Sequence, residues 1–227
     1  SMLGGIRSAA QLVSYELPRG CAVLSVVMTY STLSTHQIVL AQQGLWGIVP
    51  QFLGFVLFMI ASTAEVVRAP FDLVEAEQEL VGGYNTEYGS MKFALFFMAE
   101  YQKMIVICAI AATLYFGGFR EFWFLRNTIF SVDYSWTLGA WHITNWFLGP
   151  LYLLLKVVVL LFGMIWVRAT WPRLRYDRLM AFGWKILLPL SLAITFITAT
   201  GIVLQQELHN DLYYYVGIPV VSILVGI

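Results

Sequence analysis

Residues 148–168 read LGPLYLLLKVVVLLFGMIWVR, an apolar run with one charged side chain before the closing arginine. A helix needs about 20 mostly apolar residues to cross the hydrocarbon core of a membrane. Four further runs meet this requirement, at 14–34, 48–67, 91–117 and 184–204. Because backbone groups in lipid must bond within their own segment, the sequence predicts an all-α fold, a polytopic transmembrane helix bundle with five clear spans.

The composition supports the same fold class. Apolar residues make up 59% of the 227-residue chain, charged residues only 11%, and the net charge is zero. A soluble domain carries about 25% charged residues, so this chain has too few charges to cover a water-facing surface. We expect a single membrane domain over 1–227 in contact with a lipid bilayer, and a zero net charge gives no reason to expect a nucleic-acid partner.

The cysteines and histidines give no sign of a bound redox group. Cys21 and Cys108 lie in apolar runs without CxxC or metal-ligand spacing. The three histidines have no second histidine at helical spacing: His36, His142 and His209. We therefore expect no cofactor bound by this chain, so that any electron transfer would take its electrons from a partner.

The basic residues predict the orientation in the membrane. Five of them lie in and beside the loop 169–183, where the only acid is Asp177. Basic residues accumulate in cytoplasmic loops, so we place 169–183 and 68–91 on the cytoplasmic side, or on the matrix side of a mitochondrion. The aromatic segment 118–147 is then an outer interfacial segment, predicted to contain a short helix. A bacterial inner membrane is the predicted location, with the mitochondrial inner membrane as the alternative.

Acidic residues are concentrated between 65 and 92, where six acids face two basic residues. Asp72, Glu75 and Glu79 would share one face of a helix, and like charges at such spacings raise one another's pKa. A partly desolvated cluster of this kind exchanges protons near neutral pH. The alternative is a solvated loop without a role. Interleaved apolar residues and the pair Gly82–Gly83, which lets backbone approach a ligand closely, favour a functional loop.

Several charged residues lie within or beside the predicted spans. Glu16 and Glu100 are accompanied, three residues on, by Arg19 and Lys103, and Lys156 interrupts the fourth span. A charge at the bilayer centre costs about 2.5–3.5 kcal/mol on insertion scales, so such residues face a protein interior or a water path. Two interpretations stay open. The residues form structural ion pairs, or they relay protons.

Five stretches together resemble one known family. They are RSAAQLVSYE at 7–16, EVVRAPFDLVEAEQEL at 65–80, GYNTEY at 83–88, FALFFMAEY at 93–101 and RATWPRLRYDRLM at 168–180. The similarity is to the quinone-site membrane subunit of respiratory complex I, which is subunit 1 (the H subunit in bacteria) of NADH:quinone oxidoreductase. It covers nearly the whole chain in the family's order.

The resemblance implies a topology and a function. Family members have eight transmembrane helices, so the five spans would be helices four to eight, and this sequence would be a fragment of a longer chain. The function implied is that of a membrane subunit of a proton-pumping NADH:quinone oxidoreductase, a translocase that couples quinone reduction to proton translocation. Quinone would be the substrate, and flavin and iron–sulfur clusters would belong to partner subunits. Those partners are the peripheral iron–sulfur and quinone-site subunits and the small membrane subunits.

The resemblance also assigns roles to residues. The quinone chamber and its loop would be formed by Arg68, Asp72, Glu75, Glu77 and Glu79. A proton path would include Glu16, Glu65 and Glu100. The side facing the peripheral arm would carry Arg168, Arg173, Arg175 and Asp177.

The sequence departs from the family pattern at a few positions. Val66–Val67 are both apolar where the family has a polar residue before the arginine, and Arg19 and Lys103 are unusual. We expect Arg19 to pair with Glu16 and Lys103 to pair with Glu100, which would alter the proton path. Two other classes of protein remain possible on sequence alone: a membrane anchor of a related hydrogenase or formate hydrogenlyase, and an ion transporter without a redox partner.

Overall fold

A computed structural model describes residues 2–66, 71, 89–121, 135–138, 141–144, 147–172, 175–208 and 219. The helices in these ranges are α1 (Met2–Tyr30), α2 (Thr35–Ala41), α3 (Phe52–Glu65), α4 (Ser90–Tyr115), α5 (Leu148–Thr170), α6 (Tyr176–Phe182) and α7 (Leu188–Leu208). A π-helical turn, Gly183–Leu187, joins α6 to α7. The predicted all-α class is confirmed.

The number of spans differs from the prediction. Three helices are long and apolar enough to cross a membrane: α4, α5 and the continuous helix Tyr176–Glu207. A fourth span is obtained if α1 and α2, bent by 60° at the break between them, count as one. The apolar helix α3 has 14 residues and a length of ~21 Å, less than the ~30 Å hydrocarbon core. Five spans are therefore not confirmed.

The segment between α4 and α5 also differs from expectation. Within 118–147, where we expected a short interfacial helix, the structure places two strands, β1 (Ser135–Leu138) and β2 (Trp141–Thr144). They pair antiparallel, with Ser135 opposite Thr144. The expectation of a helix in this part of the segment is wrong. Ser135–Leu138 contains tryptophan and threonine, which have a high strand propensity.

Helix α3 lies between two groups of buried apolar side chains. One group joins α3 to α1, α4 and α5, and includes Phe58, Ile107 and Met164. The other joins α3 to α1 and the α6–α7 helix, and includes Leu57 and Leu187. Small residues on α3 allow this close approach on both sides, because helices in membranes pack best where side chains are short. Half of its 14 residues are buried: Gly54, Leu57, Phe58, Ala61, Ser62, Ala64 and Glu65.

The end of the bundle where α4 terminates is held together by polar contacts. The backbone N–H of Ile48 donates to the carbonyl of Tyr115 at 2.9 Å, and the Gln42 side chain donates to the carbonyl of Leu114 at 2.7 Å. These bonds satisfy carbonyls that the last turn of a helix leaves without partners. We call this end of the bundle the α4 C-terminal end, and the opposite one the Phe71 end.

Labelling experiments test which end faces the cytoplasm. In a background with Cys21 and Cys108 replaced, we expect Asn85→Cys to react with an impermeant maleimide from the cytoplasmic side and Leu33→Cys from the other side. The reason is the excess of basic residues near the Phe71 end. Sealed vesicles of known orientation make the measurement. Labelling of position 85 from the outside only would invert the topology.

Candidate functional site

The first half of α1 anchors the Phe71 end of the bundle. Gln11 is fully buried, and its side-chain amide donates to the carbonyl of Ala64 at 2.8 Å and to that of Phe71 at 3.1 Å. Gln11 therefore bridges the last turn of α3 and a residue of the acidic signature beyond it. A buried amide in an apolar helix is stable only when it is hydrogen-bonded in this way.

Tyr15 extends the same junction to the start of α6. Its hydroxyl donates to the carbonyl of Leu179 at 3.0 Å, and its ring centroid lies 6.0 Å from that of Phe71. Nearer the beginning of α1, the guanidinium of Arg7 lies 5.4 Å from the centroid of the Tyr176 ring. Three stretches that are far apart in sequence, 7–16, 65–80 and 168–180, thus meet at the Phe71 end.

The π-helical turn packs against this junction. A Cβ atom on Gly183 would lie 3.4 Å from Cζ of Tyr15, so a larger residue would press on that ring. Next to it, the Trp184 indole N–H donates to the hydroxyl of Ser14 at 3.0 Å. Single π-turns inside α-helices are frequent at functional sites. Here the turn meets α1 at residues beside the one that fixes Phe71.

A cluster of three charges lies inside the bundle, and we call it the Glu65 cluster. Glu65, at the last residue of α3, has 11% of its side chain exposed and forms an ion pair with Arg19. The Lys103 ammonium lies 3.0 Å from the other carboxylate oxygen and donates to the backbone carbonyl of Glu65 at 3.1 Å. One anion is therefore shared by two cations from different helices.

The depth of this cluster follows from helix geometry. Arg19 precedes the end of α1 at Tyr30 by ~16 Å, and Lys103 precedes the end of α4 at Tyr115 by ~18 Å, at a rise of ~1.5 Å per residue. Against a hydrocarbon core of ~30 Å, both cations lie near the middle of the membrane. The cluster is therefore a group of intramembrane charges and not a surface ion pair.

The expected pairing of Arg19 with Glu16 is wrong. Glu16 is exposed on the surface of α1, and no ion pair in the described residues joins it to Arg19, which extends to Glu65 instead. Lys103 also reaches Glu65, a contact that the expected pairing with Glu100 did not include. Glu100 lies three residues before Lys103 on α4 and is half-buried. The sequence identified the charged residues correctly but did not identify their meeting point.

Lys156 has a separate, buried environment. Its ammonium donates to three backbone carbonyls, those of Phe116 at 2.6 Å, Gly118 at 3.0 Å and Arg120 at 2.6 Å. It also lies 5.0 Å from the centroid of the Trp46 ring. The three carbonyls belong to the turn that ends α4, so Lys156 acts as a cap for that helix. Of the two interpretations left open by the sequence, this geometry supports the structural one.

The turn that Lys156 caps has its own sequence requirement. Gly117 and Gly118 have φ angles of 70° and 49°, in the left-handed region that glycine adopts most readily. The N–H of Gly118 donates to the carbonyl of Ala112 at 3.0 Å, which closes the helix end in the manner of a Schellman motif.

The remaining predicted site residues fall into two groups. Arg168 is exposed in the last turn of α5, and Arg175 Nε lies 3.5 Å from Asp177 Oδ2 at the start of α6, where both side chains are about four-fifths exposed. The others lie outside the described residues: Arg68, Asp72, Glu75, Glu77, Glu79 and Arg173. Within the part of the chain that is described, no group of three or more His, Cys, Asp or Glu side chains has the arrangement of a metal site.

Gln11 and Tyr15 were not predicted as site residues. Both lie in the stretch 7–16, which carried the family resemblance, and Gln11 is a polar residue inside an apolar helix. That signal alone marks a residue with a specific partner, because an unpaired amide in lipid costs several kcal/mol. Which partner it has depends on how α1 packs, and the sequence does not contain this information in readable form.

The apolar helices and the charges held between them define a multi-pass helical membrane protein. The chain belongs to the NADH dehydrogenase family, whose model matches residues 1–199. It is 47% identical over 206 residues to NADH-ubiquinone oxidoreductase chain 1 of Chondrus crispus, with 90% of this chain and 58% of the relative covered.

Two bacterial relatives, both subunits of NADH-quinone oxidoreductase that carry the letter H in their names, agree. The one from Geobacter metallireducens is 46% identical over 206 residues, which covers 90% of this chain and 53% of the relative. The one from Deinococcus deserti is 50% identical over 199 residues, which covers 87% of this chain and 48% of the relative. The chain spans about half the length of these curated relatives.

Proposed function

We propose that this chain is part of the membrane subunit that forms the quinone chamber of a proton-pumping NADH:quinone oxidoreductase. The observation that carries the proposal is the junction at the Phe71 end, where Gln11 and Tyr15 link Phe71 to α3 and α6. Phe71 belongs to the acidic signature, so the junction gives that segment a fixed anchor in the membrane domain. The names of the relatives supply the reaction.

The chamber residues proposed are Arg68, Asp72, Glu75, Glu77 and Glu79. Quinone would be the substrate, and electrons would come from the iron–sulfur clusters and flavin of peripheral partner subunits. Arg168, Arg173, Arg175 and Asp177 would face those subunits. The exposure of Arg168, Arg175 and Asp177 is consistent with contact to a partner.

The Glu65 cluster supports a proton path that includes Glu16, Glu65 and Glu100. Glu65 lies at the end of α3, on the chain segment that leads to the proposed chamber. Its two cations come from α1 and α4, and Glu16 and Glu100 each precede one of those cations by three residues, about one helical turn. A change of charge at the chamber would act on this cluster through short distances. Coupling of this kind is needed because moving one charge against 100 mV costs about 2.3 kcal/mol.

Two buried polar atoms lie next to this proposed path. The Ser62 hydroxyl, one turn before Glu65 on α3, and the carbonyl oxygen of the Gln11 side chain have no hydrogen-bond partner among the described residues. Buried polar atoms almost always find a partner. In the proposal, these two atoms are available to a proton carrier that passes between the Phe71 end and Glu65.

The experiment that tests the proposal is Arg68→Ala in the assembled enzyme. We expect quinone reductase activity to fall roughly tenfold or more, because a hydrogen bond from a charged group contributes about 1.5–3 kcal/mol. NADH oxidation by an artificial hydrophilic acceptor should stay nearly unchanged, since it bypasses the membrane subunit. Lys92→Ala, which removes an exposed basic residue at the start of α4, is the matched control. Equal loss of both activities in a fully assembled complex would remove Arg68 from the chamber.

A further inference from the structure

An apolar cleft opens between α3, α5 and the α6–α7 helix near the Phe71 end. It contains one cavity of about 290 Å³ between α3 and α5, and a second of about 720 Å³ beside α6. Ile60, Phe71 and Trp171 line both cavities, so the two are continuous. The smaller one extends along α5 past Gly163.

Two cations line the larger cavity. Arg178 and Lys185 contribute to its wall together with Ala181, Phe182 and Ile186. These five positions recur at helical spacing and lie on one face of the helix. Both cations are exposed, and in the described residues neither forms an ion pair with an acid. The cleft is therefore apolar along its length and positively charged at its mouth.

The position of the mouth relative to the membrane follows from helix length. The continuous helix Tyr176–Glu207 has 32 residues and a length of ~48 Å, so it extends beyond a hydrocarbon core of ~30 Å. Trp171, directly after α5, is a residue type that lies at the headgroup level. Arg178 and Lys185 near the start of the long helix are then at the same level, while the apolar part of the cleft lies deeper.

We propose that this cleft binds an anionic phospholipid, with its phosphate on Arg178 and Lys185 and one acyl chain in the groove that runs past Trp171 to Gly163. A guanidinium presents paired N–H donors that match phosphate oxygens. Basic pockets between membrane helices on the cytoplasmic side bind anionic headgroups. A quinone headgroup is neutral and would leave both cations without a counterion, so the charge at the mouth favours a phospholipid. The proposal goes beyond the proposed enzymatic role and does not depend on it.

The headgroup part is tested with the double variant Arg178→Gln, Lys185→Gln. The protein is extracted from its own membrane in its assembled form with a mild detergent, and the phosphatidylglycerol and cardiolipin that stay bound are counted by mass spectrometry. We expect retention to become about 30-fold weaker, the factor that corresponds to two cations at about 1 kcal/mol each. Lys92→Gln, an exposed cation elsewhere, should retain the wild-type amount. Unchanged retention in the double variant would overturn the proposal.

The acyl-chain part is tested by filling the groove. A Cβ atom on Gly163 would meet nothing within 4 Å, so Gly163→Leu adds volume to the groove without a clash at the backbone. We expect this variant to lose the tightly held phospholipid while it folds and assembles normally. Gly5→Leu is the matched control, because Gly5 is also in a helix and also has nothing within 4 Å of an added Cβ. Full retention in Gly163→Leu would show that no chain occupies the groove.

A photoactivatable phosphatidylglycerol in the membrane decides between occupants. We expect it to label the Trp171–Ile186 region of the wild type and to do so much less in either variant. Labelling of this region by a photoactivatable quinone, in competition with the phospholipid probe, would assign the cleft to quinone and overturn the proposal. The same holds if a partner subunit is crosslinked there in place of lipid.

Discussion

Glu65→Gln is expected to lower the stability of the membrane domain by about 3–5 kcal/mol, because it leaves Arg19 and Lys103 close together without their shared anion. Near the middle of a bilayer, neither salt nor water screens the two stranded cations effectively. The measurement is the midpoint of thermal unfolding of the detergent-extracted protein, together with its level in the membrane. Glu16→Gln, which removes an exposed carboxylate of α1, is the control and should change little.

A triple variant separates structure from proton transfer in this cluster. Glu65→Gln combined with Arg19→Met and Lys103→Met removes every charge of the cluster, so stability should return to near that of the wild type. If Glu65 belongs to the proton path, this stable variant should still pump protons slowly. A triple variant that recovers both stability and pumping would restrict Glu65 to a structural role and leave Glu16 and Glu100 as the candidates, testable as Glu100→Gln.

Lys156→Met is expected to have an effect of similar size at the α4 C-terminal end. It leaves the carbonyls of Phe116, Gly118 and Arg120 without their shared donor, and each such group costs about 1–3 kcal/mol when buried. The expected result is a lower unfolding midpoint and a lower level of assembled protein. Lys92→Met removes an exposed lysine and serves as the control.

The outcome for Lys156 also decides between the two interpretations that the sequence left open. A cap of backbone carbonyls stabilises the fold and carries no proton between sites, so the residual assembled Lys156→Met protein should pump with the wild-type ratio of protons to electrons. A variant with normal stability but no proton pumping would instead make Lys156 a proton carrier. The test therefore needs both readouts on the same preparation.

The sequence predicted more of the fold than of its boundaries. The predicted span 148–168 agrees with α5 to within two residues, because an uninterrupted apolar run has a clear signal at both ends. Span 48–67 overestimated α3, which begins at Phe52 and ends at Glu65. Span 184–204 began too late, since the helix starts at Tyr176 in a polar, basic stretch that hydropathy assigns to a loop. The hairpin at 135–144 was missed because aromatic residues at an interface gave a helical prediction.

What the sequence determined by itself was the class of the fold, the family and the set of charged residues that lipid does not tolerate unpaired. These follow from composition and from motifs that are continuous along the chain. The tertiary structure alone decided the partners: Arg19 and Lys103 on Glu65, Lys156 on the turn after α4, and Gln11 on Phe71. Sequence spacing identifies neighbours on one helix, three or four residues apart. A partner on another helix depends on the rotation and depth at which two helices pack, and many side chains distributed over both helices set that geometry together.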